Sequence, residues 1–192
     1  MKKIIFGLLI AFTYSAGYAQ FYKSFAPSPN FSNELGKIVL DFRFDYRTIQ
    51  VDSLVSHQDG YEIYGTSVTL PGATDCQLLR FHSSEDTTAA YEATFYKGDD
   101  YNEAAKAYEN CMRMIRKSHM YWIDRRIVSF SGEENKPSES IPFTVSTFRL
   151  TNIDDKRYTD FCAEVEIKGD VTGWQVQANF HAKRSDTEGP TE

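Results

Sequence analysis

Histidines, cysteines and paired carboxylates are the side chains best suited to move protons, attack carbonyls or hold metals, and this chain spreads them thinly. His57, His82, His119 and His181 stand in no HxH or HExxH arrangement and no CxxC accompanies them, so the sequence offers no metal signature. The densest polar cluster is His82 with Ser83, Ser84, Glu85 and Asp86. It places a base, two hydroxyls and two carboxylates within five residues. A catalytic reading assembles a hydrolase site from His82, Asp86 and the distant His181. The plainer reading is a solvated turn between two strands. No GxSxG elbow surrounds any serine. Glu164 and Glu166 are spaced like a carboxylate pair, but alternation puts both on the polar side of a strand, where solvent charges are ordinary. Glycines occur singly, so there is no phosphate-cradling loop, and no cofactor is expected.

The elements that would position these residues are clearest over 99–119. Tyr101, Ala104, Ala105, Tyr108, Cys111, Met112 and Ile115 fall at helical spacing, Asp100 and Glu103 form an acidic capping box, and basic residues crowd the far end. The segment 33–49 fits both a helix and a strand; helix is the reading adopted, with Ser32 and Asn33 as its cap. Strand-like runs cover 61–70, 76–82 and 89–96 before the second helix, and 125–131, 143–151, 158–168 and 173–183 after it. A parity slip between Val145 and Phe148 suggests a bulge or burial on both faces. Short connections favour antiparallel pairing. The expected fold is α+β: an antiparallel sheet of about seven strands with two helices on one face, in the order α-β-β-β-α-β-β-β-β.

One face of that sheet would then be wet. In the last strand Trp174, Val176, Ala178, Phe180 and Ala182 share one side, and Gln175, Gln177, Asn179 and His181 share the other. Together with Glu164, Glu166 and Cys162, and with Glu92, Thr94 and Tyr96 as a continuation, they form the expected ligand-binding face. A protein, peptide or glycan could dock there. Three cysteines permit at most one intrachain disulfide. Cys162 points away from the helices, whereas Cys111 lies on the apolar helix stripe, so Cys76 with Cys111 is the expected pair and three free thiols the alternative.

The first 19 residues combine Lys2 and Lys3, an apolar run over 4–12 and small residues ending at Ala19. That is the pattern of a cleaved secretory signal. The run is too short to cross a bilayer, which takes about 20 residues. No transmembrane segment is therefore expected after cleavage, and the protein should be exported to the periplasm or beyond. The remainder, 20–183, reads as one domain followed by an apolar-free acidic tail at 184–192. The whole chain carries a net charge of −6, and losing the two leader lysines takes it to −8. An acidic chain without a basic stripe is a poor partner for nucleic acid.

An early Asp41-Phe42 segment, the turn 70–73 (LPGA), the helix pattern of Asp100, Glu103, Ala104 and Tyr108, and the late pair Trp174 and Val176 resemble small exported proteins of unknown function from Bacteroidetes-like bacteria. The resemblance implies export and the same element order, and it brings no activity. The reading is a non-catalytic exported binding or interaction module of the cell envelope, with a secreted hydrolase as the alternative.

Overall fold

The computed structural model describes residues 29–58, 60–82 and 88–183; the expected leader, Ser83 to Asp86 and the acidic tail lie outside them. The chain opens with helix α1 (Pro29–Asp41) and a 3-10 turn (Phe42–Phe44). Four strands follow: β1 (Gln50–Gln58), β2 (Tyr61–Thr66), β3 (Asp75–Phe81) and β4 (Ala89–Gly98). Helix α2 (Tyr101–Lys117) leads into β5 (His119–Tyr121), β6 (Ile127–Gly132), β7 (Phe143–Thr151), β8 (Phe161–Asp170) and β9 (Gly173–Ala182). The nine strands of the described residues join one antiparallel sheet in the order β1-β2-β3-β4-β9-β8-β7-β6-β5. The first meander runs from one edge to the middle. Helix α2 then carries the chain to the far edge, and the second meander returns to lay β9 beside β4.

Both helices bury their apolar stripes in one core. From α1 come Phe31, Leu35, Ile38 and Val39; from α2 come Ala104, Tyr108, Cys111, Met112 and Ile115. Helix α2 lies across β4, β9, β8 and β6, and α1 packs on β5 and on α2. The sheet supplies Tyr91, Ala93, Phe148, Ala163, Val165, Ile167, Val176, Ala178 and Phe180, all buried. Removing such side chains from water contributes roughly 1.5–3 kcal/mol each before the cost of ordering the chain. Asp100 caps α2 by accepting hydrogen bonds from the backbone N–H of Asn102 (2.7 Å) and Glu103 (3.2 Å), a contact worth about 1 kcal/mol. Glu103 turns outward to Lys106, 2.8 Å away.

The α+β class and the antiparallel sheet agree with the sequence, and four details are corrected. Among the described residues the strands number nine rather than about seven. Strand β1 went unread because Gln50 to Gln58 carries no clean alternation: it is an edge strand, broken by two register shifts, with Val51 and Val55 exposed. Strand β5 has only three residues. The first helix spans Pro29–Asp41 instead of 33–49, because buried Asp41 turns the chain. Its carboxylate accepts hydrogen bonds from the N–H of Thr48 and Ile49 and from the Thr48 hydroxyl. The parity slip in β7 is no bulge, since its register with β8 is continuous. Ser146 occupies a core position there, paired with the Tyr108 hydroxyl at 2.7 Å.

The expected disulfide is also absent: Cys76, Cys111 and Cys162 are all free. Cys76 and Cys111 both face the core layer, but Cys76 belongs to β3, outside the strands that α2 chiefly covers. Burial pushes the Cys111 thiol well above its ordinary pKa.

Candidate functional site

Opposite the helices, the register assembles a polar ladder. Directly paired residues of an antiparallel sheet share a face. Gln77 of β3 lies opposite Glu92 of β4, Glu92 opposite Asn179 of β9, Asn179 opposite Glu164 of β8, and Glu164 opposite Thr147 of β7. One rung along, Thr94, Gln177, Glu166 and Val145 form a second row. The Gln77 amide donates to Glu92 at 2.7 Å and the Thr147 hydroxyl to Glu164 at 3.0 Å. Burial pushes the Glu92 and Glu166 carboxyls up from their ordinary pKa, against the opposing hydrogen bonds from Gln77 and Asn179 respectively. The Asn179 Oδ1 atom is buried without a hydrogen-bond partner among the described residues. Such an orphaned acceptor is uncommon.

The β8–β9 hairpin concentrates the chemistry at one end of this ladder. A two-residue turn at Val171 and Thr172 sets the register: Asp170 accepts hydrogen bonds from the Thr172 N–H and hydroxyl, and Gly173 has a φ of 119° that favours glycine. Carried down the hairpin, that register places Cys162 directly opposite His181. Cys162 Sγ is 3.9 Å from His181 Nε2, and the same nitrogen is 2.9 Å from Glu164 Oε2. Lys183 Nζ holds the other carboxylate oxygen, Oε1, at 2.8 Å. His181 Nδ1 bonds the Ala182 carbonyl at 3.0 Å, which requires Nδ1 to carry a proton. Cys162 is fully buried and Glu164 nearly so, while the His181 side chain is 25% exposed and opens the cluster to solvent.

The hydrogen bond from His181 lowers the Glu164 carboxyl to about 2, against the burial that opposes it, and Lys183 and Thr147 add to the lowering. Burial works against the His181 cation, but the bonds to Cys162 and Glu164 outweigh it and raise the imidazole to about 10. A lowered carboxyl contributes stability that is full above its ordinary 4.5 and is lost as pH falls through about 2; a raised imidazole contributes stability that is full below 6.5 and is lost as pH rises through about 10. The contribution of the Glu164–His181 pair to the melting temperature is therefore expected to be full from about pH 4.5 to 6.5 and to be lost on both sides. Thermal scans against pH check this: Glu164→Gln should flatten both limbs, and limbs unchanged in that variant would refute the assignment.

The structure brings together Glu164, Glu166, Gln177, Asn179 and His181, with Gln175 at the end of the same face opposite Lys97 and Lys168. Tyr96 does not join them. A register shift between Thr94 and Tyr96 turns it to the helix side, where its hydroxyl accepts a hydrogen bond from the Asp100 N–H. His82 and His181 are not brought together either. His82 follows β3 by one residue, two strands from β9, and its Nε2 meets Glu62 Oε2 at 3.0 Å beside the Tyr64 hydroxyl. Asp86, the third member of that proposed site, lies outside the described residues. A cavity of about 320 Å³ opens beside the β7–β8 connection, lined by Arg149, Asp154, Asp155, Lys156 and Tyr158 among others and by no histidine or cysteine.

Sequence reasoning put Cys162, Glu164 and His181 on one face but did not join them. The usable signal was the hairpin: a two-residue turn at 171–172 pairs 162 with 181 by simple counting. Among the described residues no helix is long and apolar enough to cross a membrane. No family model, curated protein or solved structure matches the chain.

Proposed function

We propose that the protein is an exported, non-catalytic binding module of the cell envelope that takes a polar ligand, a glycan or peptide, on the sheet face opposite its helices. The observation that carries this reading is the ladder Gln77, Glu92, Asn179, Glu164 and Thr147, five polar side chains on five adjacent strands. Amides and carboxylates in rows suit hydroxyl and amide groups spaced along a polymer. Phe143, half exposed at the Lys168 and Gln175 end of that face, adds an apolar edge on which a sugar or side chain can rest. The leader pattern supports export.

The hydrolase alternative has less behind it. A nucleophile–base–orienter relay needs the two partners of an imidazole on different nitrogens. Here Cys162 and Glu164 both address Nε2, and Nδ1 is engaged by a backbone carbonyl. Titration of isotope-labelled protein with N-acetylglucosamine oligosaccharides and, separately, with muropeptides tests the binding reading. Amide shifts confined to β3, β4, β7, β8 and β9 are expected with one of the two, and Glu92→Ala should weaken them. Shifts confined to the helix side, or none with either probe at millimolar concentration, would overturn it.

A further inference from the structure

We propose that Cys162, Glu164 and His181 form a binding site for a single divalent transition-metal ion of the zinc type. It shares Glu164 with the polar ladder described above but does not require that a ligand bind there. The three donor atoms all lie within 4.8 Å of one another. They come from the two strands of one hairpin, Cys162 and Glu164 two residues apart on β8 and His181 across from Cys162 on β9, so no mobile loop positions them.

The spacing fits a tetrahedral ion. Ordinary bond lengths of about 2.3 Å to sulfur, about 2.05 Å to nitrogen and about 2.0 Å to oxygen place S and N about 3.6 Å apart and N and O about 3.3 Å apart. The corresponding separations are 3.9 and 2.9 Å. The sulfur and the carboxylate oxygen, within 4.8 Å of one another, would sit about 3.5 Å apart on such an ion, so binding needs the thiol to swing toward the carboxylate by up to about 1.3 Å and the carboxylate to back away from the imidazole by about 0.4 Å. The present N–O distance is that of a shared proton, which the ion would replace.

Outer contacts already favour the ligating arrangement. The Nδ1–H donates to the Ala182 carbonyl, which leaves Nε2 as the nitrogen available to a metal, the usual second-layer device for a metal-binding histidine. Lys183 and Thr147 both bond Glu164 Oε1, so Oε2 keeps its direction toward His181. One vertex of the tetrahedron remains for water. Asn179 Oδ1, the buried acceptor without a described partner, is on the same face and in register with Glu164, where a metal-bound water is a suitable donor.

A plain ion pair between Glu164, His181 and Lys183 accounts for the carboxylate but assigns no role to a buried thiol 3.9 Å from the imidazole. A mixed sulfur, nitrogen and oxygen set selects borderline ions over calcium or magnesium. On binding, the thiol proton and the Nε2 proton leave to solvent. The thiolate and carboxylate then neutralise the dication with a neutral imidazole.

Cobalt(II) titration of the reduced full-length chain tests the site, because thiolate ligation gives a charge-transfer band in the near ultraviolet. One equivalent should bind with that band and with the intense visible absorption of four-coordinate cobalt, and zinc should displace it. A Cys76→Ser/Cys111→Ala chain should keep the band. Cys162→Ser should lose it and bind at least about tenfold more weakly. Should that variant fail to fold, wild-type protein still decides: no charge-transfer band at stoichiometric cobalt in folded chain, or a band that disappears in Cys76→Ser/Cys111→Ala while that chain stays folded, would overturn the proposal.

Discussion

Replacing Phe180 with alanine is expected to lower the unfolding free energy by about 3–5 kcal/mol, a large share of the stability of an ordinary domain. Phe180 is fully buried in β9, opposite Tyr91 of β4 on one side and Ala163 of β8 on the other. Its ring meets the Tyr91 ring edge-on at 5.9 Å. Its carbonyl accepts the hydroxyl of buried Tyr46 at 2.8 Å, which fixes the position of the surrounding backbone. Neighbours held from several sides cannot collapse into the space left by a benzyl group, so the cavity term adds to the lost transfer energy. Urea denaturation measures the loss, with an unchanged slope showing that the folded and unfolded states are otherwise comparable. Val171→Ala at the fully exposed hairpin tip serves as control and should change stability by less than about 0.5 kcal/mol. A Phe180→Ala loss below about 1 kcal/mol would contradict the packing described.

The second large effect is expected at Gly132, at the end of β6 opposite Phe148 of β7. A Cβ there would overlap the Thr147 carbonyl oxygen and lie 2.8 Å from the Phe148 Cα. Both obstacles are backbone, so no rotamer change relieves them. Gly132→Ala must push β6 from β7, at a cost of about 3 kcal/mol or more. The damage should concentrate at the β5–β6 edge. Amide exchange at Met120, Val128 and Phe130 is expected to accelerate more than about a hundredfold, while Ala178 and Val165 in the sheet centre change less. Uniform acceleration throughout the sheet would show instead that β6 does not open on its own.

The sequence was most readable where one strong local pattern met one tertiary outcome. Helix α2 shows its cap, stripe and basic end in Asp100, Tyr108 and Arg116, and these residues cap it, bury in the core and lie in its last turn. The alternation of β8 and β9 likewise separated Phe161 and Phe180 from Glu164 and Asn179. Edge strands were harder because their side chains answer to solvent on both faces: Val51 and Val55 look like isolated apolar residues in a polar run. Ser146 misled in the opposite sense, a hydroxyl at a core position made acceptable by the Tyr108 hydroxyl and the Asn135 N–H that bond it. The Cys162, Glu164 and His181 cluster was hidden for a different reason. Its members are ordinary one at a time, and only the strand register makes them neighbours.

The order of strands also bears on how the chain reaches this structure. Each meander pairs sequential strands and can form from contacts close along the chain, whereas β4 and β9 can meet only after α2 and four further strands lie between them. The Tyr46 bond to Phe180, which spans 134 residues, belongs to that late event. Closing so long a loop is entropically costly and slows folding relative to local pairing. The half that ends in β4 is made first during synthesis, and it must wait with its inner edge uncovered until β9 arrives. The passage in which this protein is most exposed to wrong partners is thus the interval before that central pairing closes.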